Sequence, residues 1–302
     1  MSIRFDATVI ATYGRRATVR ADDGAVADAR LFGRRLAVVC GDRAECEPDA
    51  RTGEIHLTAL HPRRNALYRS NLRGGSEAIV ANLDQILVAV APLPRPDWFV
   101  VDRYLSAAAS AGIAATLVVN KTDLPGGNLE PELATFLACG YTLLRGSTRT
   151  GEGMRELLNA CSGRRSVLVG QSGTGKSSLL GRLAPESRAL TGELARDEEG
   201  RHTTTTSRLY EVDGAELIDS PGVRDFAPAL DHLEPHALGF VEIAALAPGC
   251  RFQDCRHLRE PACAVRAAVE AGEIAPRRYE SYRRLRNLVG QLEAARGPKR
   301  PR

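Results

Sequence analysis

Two short stretches constrain this chain more than any other feature: GQSGTGKSSL at residues 170–179 and NKTD at residues 120–123. The first has the spacing G-x-x-x-x-G-K-S, with a strand-like run, SVLVG, ahead of it and a helix-like run, SSLLGRLA, behind. That context distinguishes a phosphate cradle from an ordinary glycine-rich turn. Glycines let consecutive backbone N–H groups approach phosphate oxygens, and the following helix adds the positive end of its dipole. Gly170, Gln171, Ser172, Gly173, Thr174, Gly175, Lys176, Ser177 and Ser178 are therefore the expected loop. Lys176 is expected to bridge the β- and γ-phosphates and Ser177 to ligate Mg²⁺.

NKTD follows another strand-like run, AATLVVN, which places it at the carboxyl end of a parallel sheet, where such folds bind ligands. A carboxylate there, Asp123, accepts two hydrogen bonds from guanine, whose N1–H and 2-amino groups are both donors. Adenine would leave it unpaired beside a lone pair, a mismatch of several kcal/mol, roughly, for a site built around specific donors. Asn120 is expected to brace the loop, and the Lys121 stem to lie along the purine. Gly146-Ser147-Thr148, after the next strand, suits backbone contact with the guanine oxygen, so Ser147 and Thr148 join the expected base site. Downstream of the phosphate loop, Asp219 to Gly222 has the form D-x-x-G, which brings a carboxylate near Mg²⁺ and a glycine N–H near the γ-phosphate. Between them RHTTTTS, residues 201–207, offers a second Mg²⁺-binding hydroxyl, with Thr204 the candidate.

These motifs stand in an unusual order. A Ras-like domain runs phosphate loop, threonine switch, D-x-x-G, N-K-x-D and small-residue loop. Read as a circle, this chain keeps that order but begins at N-K-x-D. The expectation is a circularly permuted nucleotide-binding domain, its old ends joined near residues 151–165 and its new ends opened after D-x-x-G. Composition agrees: of 41 basic residues only Lys121, Lys176 and Lys299 are lysine, and the first two lie in the nucleotide motifs.

The 302 residues divide into three regions. Residues 1–75 are short alternating segments broken by Gly, Asp and Pro, predicting a small all-β unit, most simply a five-stranded barrel, closed by PRRNALYRSNLRGG as a linker or basic loop. Residues 76–228 alternate apolar runs with helix-like stretches, predicting an α/β domain with a mostly parallel sheet. Residues 229–302 are helical and irregular, ending in a basic helix. This region holds Cys250-x4-Cys255-x-His257-x5-Cys263, three thiolates and an imidazole suited to one closed, structural Zn²⁺ site. His232 and His236 are read as solvated, not as ligands. Residues 276–302 carry nine Arg or Lys against two Glu, about +7 of a net +4, a tail suited to a polyanion. Seven cysteines, three of them clustered, point to a reducing compartment. The lack of a signal-like start or an apolar span points to the cytoplasm and no membrane, and the chain is expected to be a monomer.

Taken together, N120-K-T-D123, G170-Q-S-G-T-G-K-S-S178, H202-T-T-T205, D219-S-P-G222 and the cysteine cluster resemble the bacterial small ribosomal subunit biogenesis GTPase family known as RsgA, over nearly the whole chain. The resemblance implies an oligonucleotide-binding (OB) type of barrel, binding of GTP and GDP with Mg²⁺, hydrolysis stimulated by the small subunit, one zinc ion, rRNA as partner, and a role in late subunit maturation. D-S-P-G stands where D-T-P-G is commoner. Val223 occupies the place of the water-orienting glutamine of Ras-like enzymes, predicting slow intrinsic turnover. Water positioning must then come from His202 or from a group supplied on the ribosome. The competing reading is an RNA-binding module that keeps nucleotide as a structural ligand with vestigial hydrolysis. An ATP-dependent kinase is disfavoured by N120-K-T-D123.

Overall fold

The computed structural model describes residues 4–33, 36–71, 75–185, 187, 207–220, 222 and 227–296. Five strands open the chain: β1 (Phe5–Tyr13), β2 (Arg16–Ala21), β3 (Val26–Leu31), β4 (Arg43–Pro48) and β5 (Ile55–Leu60). They pair in the order β1-β2-β3-β5-β4, and β4 returns to β1, so the sheet closes into a barrel. Alternation fills its narrow interior with small residues, Ala7, Val9, Ala17, Val19, Ala29 and Ala44, around Leu31, Cys46 and Leu57. The expected five-stranded barrel is present.

The segment expected to be a linker is ordered instead. β6 (Ala66–Ser70) and β7 (Ser76–Ala81) form an antiparallel hairpin. The basic segment hid the apolar Leu67, which packs into the neighbouring core together with Ile79 and Val80 of β7.

The second sheet joins β8 (Gln85–Val90), β9 (Ala114–Val119), β10 (Thr142–Arg145), β11 (Arg165–Gly170), β12 (Ser207–Val212) and β13 (Ala215–Asp219). The order is β10-β9-β8-β11-β13-β12, parallel except for β12. β8 is buried along its whole length, as a central parallel strand covered on both faces must be. On one face lie α1 (Trp98–Ser110) and α2 (Glu130–Ala138); on the other lie α3 (Met154–Cys161) and α4 (Lys176–Leu183). α3 connects β10 to β11, the place where permutation requires the old ends to be joined.

β12 also pairs antiparallel with β1, through Ala11↔Arg208 and Thr12↔Ser207, so barrel and sheet form one continuous eleven-stranded surface. A buried-edge ion cluster pins this seam: Glu216 of β13 takes Arg165 at 2.7 Å and also Arg20 of β2, which reaches Glu211 as well.

After the sheet come α5 (Val241–Leu246), α6 (Ala264–Glu270) and α7 (Pro276–Arg296), built around Phe240, Ile243, Val265, Tyr282 and Leu285. α7 docks on α1 through a fully buried guanidinium. Arg278 reaches Asp102 at 2.6 Å and grips Glu242 with two bonds of 2.8 and 2.9 Å, among the rings of Phe136, Tyr141 and Phe240. Arg277 adds a second bond to Asp102, at 2.6 Å, and an ion pair with Glu132. Among the described residues no helix is long and apolar enough to cross a membrane.

Candidate functional site

The strands β8, β9, β10, β11 and β13 all end on the same edge of the sheet, because every one of those pairings is parallel. That shared edge collects Gly170, Asn120, Gly146 and Asp219 from distant parts of the sequence. The glycine-rich loop leaves β11 at Gly170, with φ +140°, where a Cβ would sit 2.4 Å from the carbonyl of Ala89 on β8. It ends at Gly175, with φ +90°, where a Cβ would lie 2.3 Å from Asn120 Nδ2. Only glycine allows both approaches.

Lys176 opens α4 and folds back into the loop, its Nζ donating to the carbonyls of Gly170 at 2.6 Å and Gln171 at 2.9 Å. Thr174 is buried and donates to Gln171 O at 2.9 Å, while Ser172, Gly173, Ser177 and Ser178 remain exposed on the open side. Asn120 is fully buried and ties three segments together. Its Nδ2 donates to Thr174 O at 2.9 Å, and its Oδ1 accepts the Thr148 N–H at 3.4 Å. Lys121 lies across the loop and donates to Gly173 O at 2.6 Å and Leu93 O at 3.0 Å. The three predicted motifs are thus one hydrogen-bonded unit.

Asp123 accepts a hydrogen bond from the buried Ser147 hydroxyl and lies 3.5 Å from Arg149. The Ser147 bond is the main cause holding its carboxyl below the ordinary carboxylate range, with Arg149 adding to it. It is therefore ionised and acceptor-only at neutral pH, the state that two donors of a purine edge require. Ser147 also accepts the N–H groups of Arg149 and Thr150, both at 3.2 Å, which fixes the turn that presents Thr148. Asp219 ends β13 on the same edge, and Ser220 beside it bonds Ser207 of β12 at 2.7 Å. Gly222 lies close to Arg69. His202, Thr204 with the rest of the threonine run, and Val223 lie outside the described residues.

Sequence reading missed two contacts at this edge. Arg149 sits beside Asp123, and Gln171 Oε1 accepts the backbone N–H of Asp97 at 2.9 Å. Asp97 in turn caps α1 by accepting from Phe99 and Val100. The Pro96-Asp97-Trp98 sequence was a legible helix start, but nothing in it named Gln171 as partner.

The four expected metal ligands converge. The candidate atoms of Cys250, Cys255, His257 and Cys263 lie within 4.8 Å of one another. His257 Nδ1 is 3.5 Å from both Cys250 Sγ and Cys263 Sγ, and those sulfurs are 3.8 Å apart. A tetrahedron with Zn–S of about 2.3 Å and Zn–N of about 2.0 Å has S–S edges of about 3.8 Å and S–N edges of about 3.5 Å, so the cluster has the size of a zinc site. It is far too open for a disulfide, and all seven cysteines are free. Burial, then the charge of Arg286, pushes His257 down, keeping the ring neutral with a lone pair to offer. Burial pushes the Cys255 thiol up to about 12, a burden that a divalent cation would remove.

The loop bearing these ligands is clamped by a residue that sequence reading did not single out. Glu260 accepts backbone N–H groups from Arg256 at 3.0 Å, Leu258 at 2.8 Å and Arg259 at 2.9 Å, on both sides of His257. Burial opposes its charge, yet those donors hold its carboxyl down at about 2. Tyr279 and Tyr282 of α7 donate to the carbonyls of His257 at 2.6 Å and Arg256 at 2.9 Å. His232 is stacked on Tyr68 and bonded to Ser76, away from the cluster.

The basic tail differs from the free polycation expected. Arg277 and Arg278 are consumed by the α1 junction, and Arg286 donates to the carbonyls of Pro235 and His236. Arg296 pairs with Asp231, Arg283 with Glu280, and Arg284 lies 4.0 Å over the Phe99 ring. Much of the charge is structural.

A family model described as RsgA GTPase matches residues 60–228. The small ribosomal subunit biogenesis GTPase RsgA of Azotobacter vinelandii is 42% identical over 287 residues, covering 92% of this chain and 83% of that protein. The protein of the same name from Chromohalobacter salexigens is 44% identical over 289 residues, covering 92% and 84%. Among solved structures, YjeQ from Thermotoga maritima matches with a TM-score of 0.72 and 28% identity, covering 95% of this chain and 99% of its own. YloQ, a circularly permuted GTPase, shares the fold with a TM-score of 0.73 at 20% identity, covering 99% and 98%.

Proposed function

The chain belongs to the RsgA family of GTPases, and from that membership we propose that it binds the small ribosomal subunit and hydrolyses GTP during late subunit maturation. The observation that carries the nucleotide assignment is Asn120, buried between the glycine-rich loop and the Thr148 N–H. Because one side chain joins the phosphate and base ends, a nucleotide meets a preassembled edge and little ordering is left to do.

In this reading GTP lies along that edge. Asp123 accepts N1–H and the 2-amino group of guanine, displacing Arg149, and the backbone of Ser147 and Thr148 faces the guanine oxygen. Lys121 covers the purine. Residues 170–178 cradle the phosphates, and Lys176 exchanges its loop carbonyls for phosphate oxygens. Gly222 contributes its N–H toward the γ-phosphate. Ser177 and Thr204 are the proposed holders of Mg²⁺, with Asp219 near it through water, and the ion when bound would neutralise charge developing on the phosphates. Since Val223 cannot orient water, His202 or a ribosomal group takes that role. Replacement of His202 by alanine is expected to remove subunit-stimulated turnover while sparing GTP affinity; unchanged stimulation would reject His202.

Cys250, Cys255, His257 and Cys263 are proposed to hold one structural Zn²⁺, which would neutralise the buried thiolates and fix the ligand loop against α7. Functionally the chain divides at residues 75 and 228 into an OB-type barrel, a permuted GTPase domain and a zinc-binding helical region, with the β6–β7 hairpin straddling the first boundary. Barrel and helical region are the proposed contacts with rRNA, and the protein is proposed to act as a cytoplasmic monomer. Nucleotide affinity of Asp123→Asn tests the base assignment: guanine binding should fall and xanthine binding rise.

A further inference from the structure

The outer face of the barrel carries an arrangement that barrel stability does not require. Side chains alternate along β3, with Ala29 and Leu31 inside and Asp28 and Arg30 outside; Phe32 continues the outer row just past the strand. Register places Arg16 of β2 directly opposite Arg30, and Arg30 directly opposite His56 of β5. Like charges directly opposite one another destabilise a sheet, and the Arg16 side chain has no ion-pair partner among the described residues. Glu54 is the nearby carboxylate, 3.8 Å from Arg30 and 3.6 Å from His56; Asp28 is engaged by Thr18 at 3.0 Å. Arg15 runs along the same edge, donating to the carbonyls of Leu31 and Gly33.

Phe32 stands at the end of this row and is 61% exposed, the highest value among the exposed large hydrophobics of the described residues. It is held in place, not loose. Its N–H donates to Leu57 O at 2.9 Å, and its ring stacks on the half-buried His56 with centroids 5.1 Å apart and planes 16° apart. One face of the phenyl ring is thus backed by imidazole, and Arg30 lies two residues before it on the same outer row, with Arg16 opposite Arg30 on β2. An exposed aromatic plane beside a row of arginines suits an unpaired nucleotide, because every base has a π-face and every link carries a negative charge. A purely apolar partner would gain nothing from the opposed arginines.

We propose that Phe32, backed by His56, is a stacking platform for an unpaired RNA base, with Arg16 and Arg30 holding the adjoining phosphates. This deepens the reading that the chain binds the small ribosomal subunit, and it assigns one face of the barrel to single-stranded RNA. The test uses the full chain and a fluorescent single-stranded RNA of roughly 10 nucleotides, within the span that one such barrel covers. A duplex of the same composition is the comparison. Phe32→Ala should weaken single-strand binding by about 5- to 100-fold, the range of one lost base stack, with little change for the duplex. Phe32→Trp should restore it, and both variants should melt near the parent temperature because the side chain is exposed. Arg30→Ala should reduce the slope of log affinity against log salt by about 1.

Unchanged single-strand binding by Phe32→Ala overturns the proposal. So does a variant that loses small subunits while keeping single-strand binding, since the face would then belong to a ribosomal protein. Should the parent chain bind single strands through Phe32 but fail to bind purified small subunits, the platform stands and the functional reading falls.

Discussion

At the scale of single residues, specificity rests on Asp123. Its carboxylate is kept ionised by Ser147, so it can only accept. Asp123→Asn presents an amide N–H to the 2-oxo group of xanthine in place of an acceptor for the guanine 2-amino group. The preference should swing from guanine to xanthine by on the order of 100-fold or more, read by competition binding with the two nucleotides. Glu260 is tested similarly. Glu260→Gln keeps the size but loses the charge that three N–H groups around His257 are gathered on. Second-layer partners of this kind typically contribute about 10- to 100-fold in metal affinity, so zinc should leave the variant correspondingly faster in a chelator-competition assay. The motif residues were legible because their chemistry fixes both type and spacing. Arg149, Gln171 and Glu260 were not, since an arginine, a glutamine or a glutamate in a polar loop has many uses and only the folded loop selects one.

At the scale of elements, two ion clusters do the joining. Arg278 is caged by Asp102 and Glu242 where α7 meets α1. Arg278→Met leaves Glu242 without its cation and the buried Asp102 with Arg277 alone, which should cost about 3 kcal/mol in denaturant unfolding. Replacing Arg278, Asp102 and Glu242 together by apolar residues should recover most of that loss. At the seam between barrel and sheet, burial raises the Glu216 carboxyl, but Arg165 and Arg20 outweigh it and hold it below its ordinary 4.5. A depressed carboxyl stabilises fully above its unfolded value and loses that contribution as pH falls through the folded one. Acidification from about pH 5 downward should therefore weaken the parent more than Glu216→Gln, by on the order of 1 kcal/mol for so partly exposed a network. Alternation made the barrel strands readable, and apolar runs made β8 and β9 readable. The β6–β7 hairpin escaped because arginines and asparagines surround Leu67, the core position of its first strand, and the α7 arginines read as a free cationic face because sequence does not reveal a buried carboxylate on another helix.

At the scale of the whole molecule, the C-terminal region is not a loose appendage following D219-S-P-G222. α7 is fastened to α1, and the first turn of α1 touches the glycine-rich loop through Asp97 and Gln171. The glycine-rich loop is thereby linked through α1 to the helical region that carries the cysteine cluster. The permuted order was legible from motif order alone, and the sheet order agrees with it. The barrel's fusion to the sheet through β1 and β12 was not, because two antiparallel residue pairs leave no trace in sequence.

A GTPase of the RsgA family that lacks a water-orienting glutamine is expected to owe its turnover to the small ribosomal subunit. The most direct measurement is GTP hydrolysis by the full chain alone, with purified small subunits and with purified large subunits, alongside Lys176→Ala as the control lacking the phosphate-loop ammonium. Turnover should be slow alone, strongly stimulated by small subunits only, and absent in the Lys176 variant. A rate that stays near zero with either subunit would rule out a ribosome-governed GTPase and leave a nucleotide-bound RNA-binding module in its place.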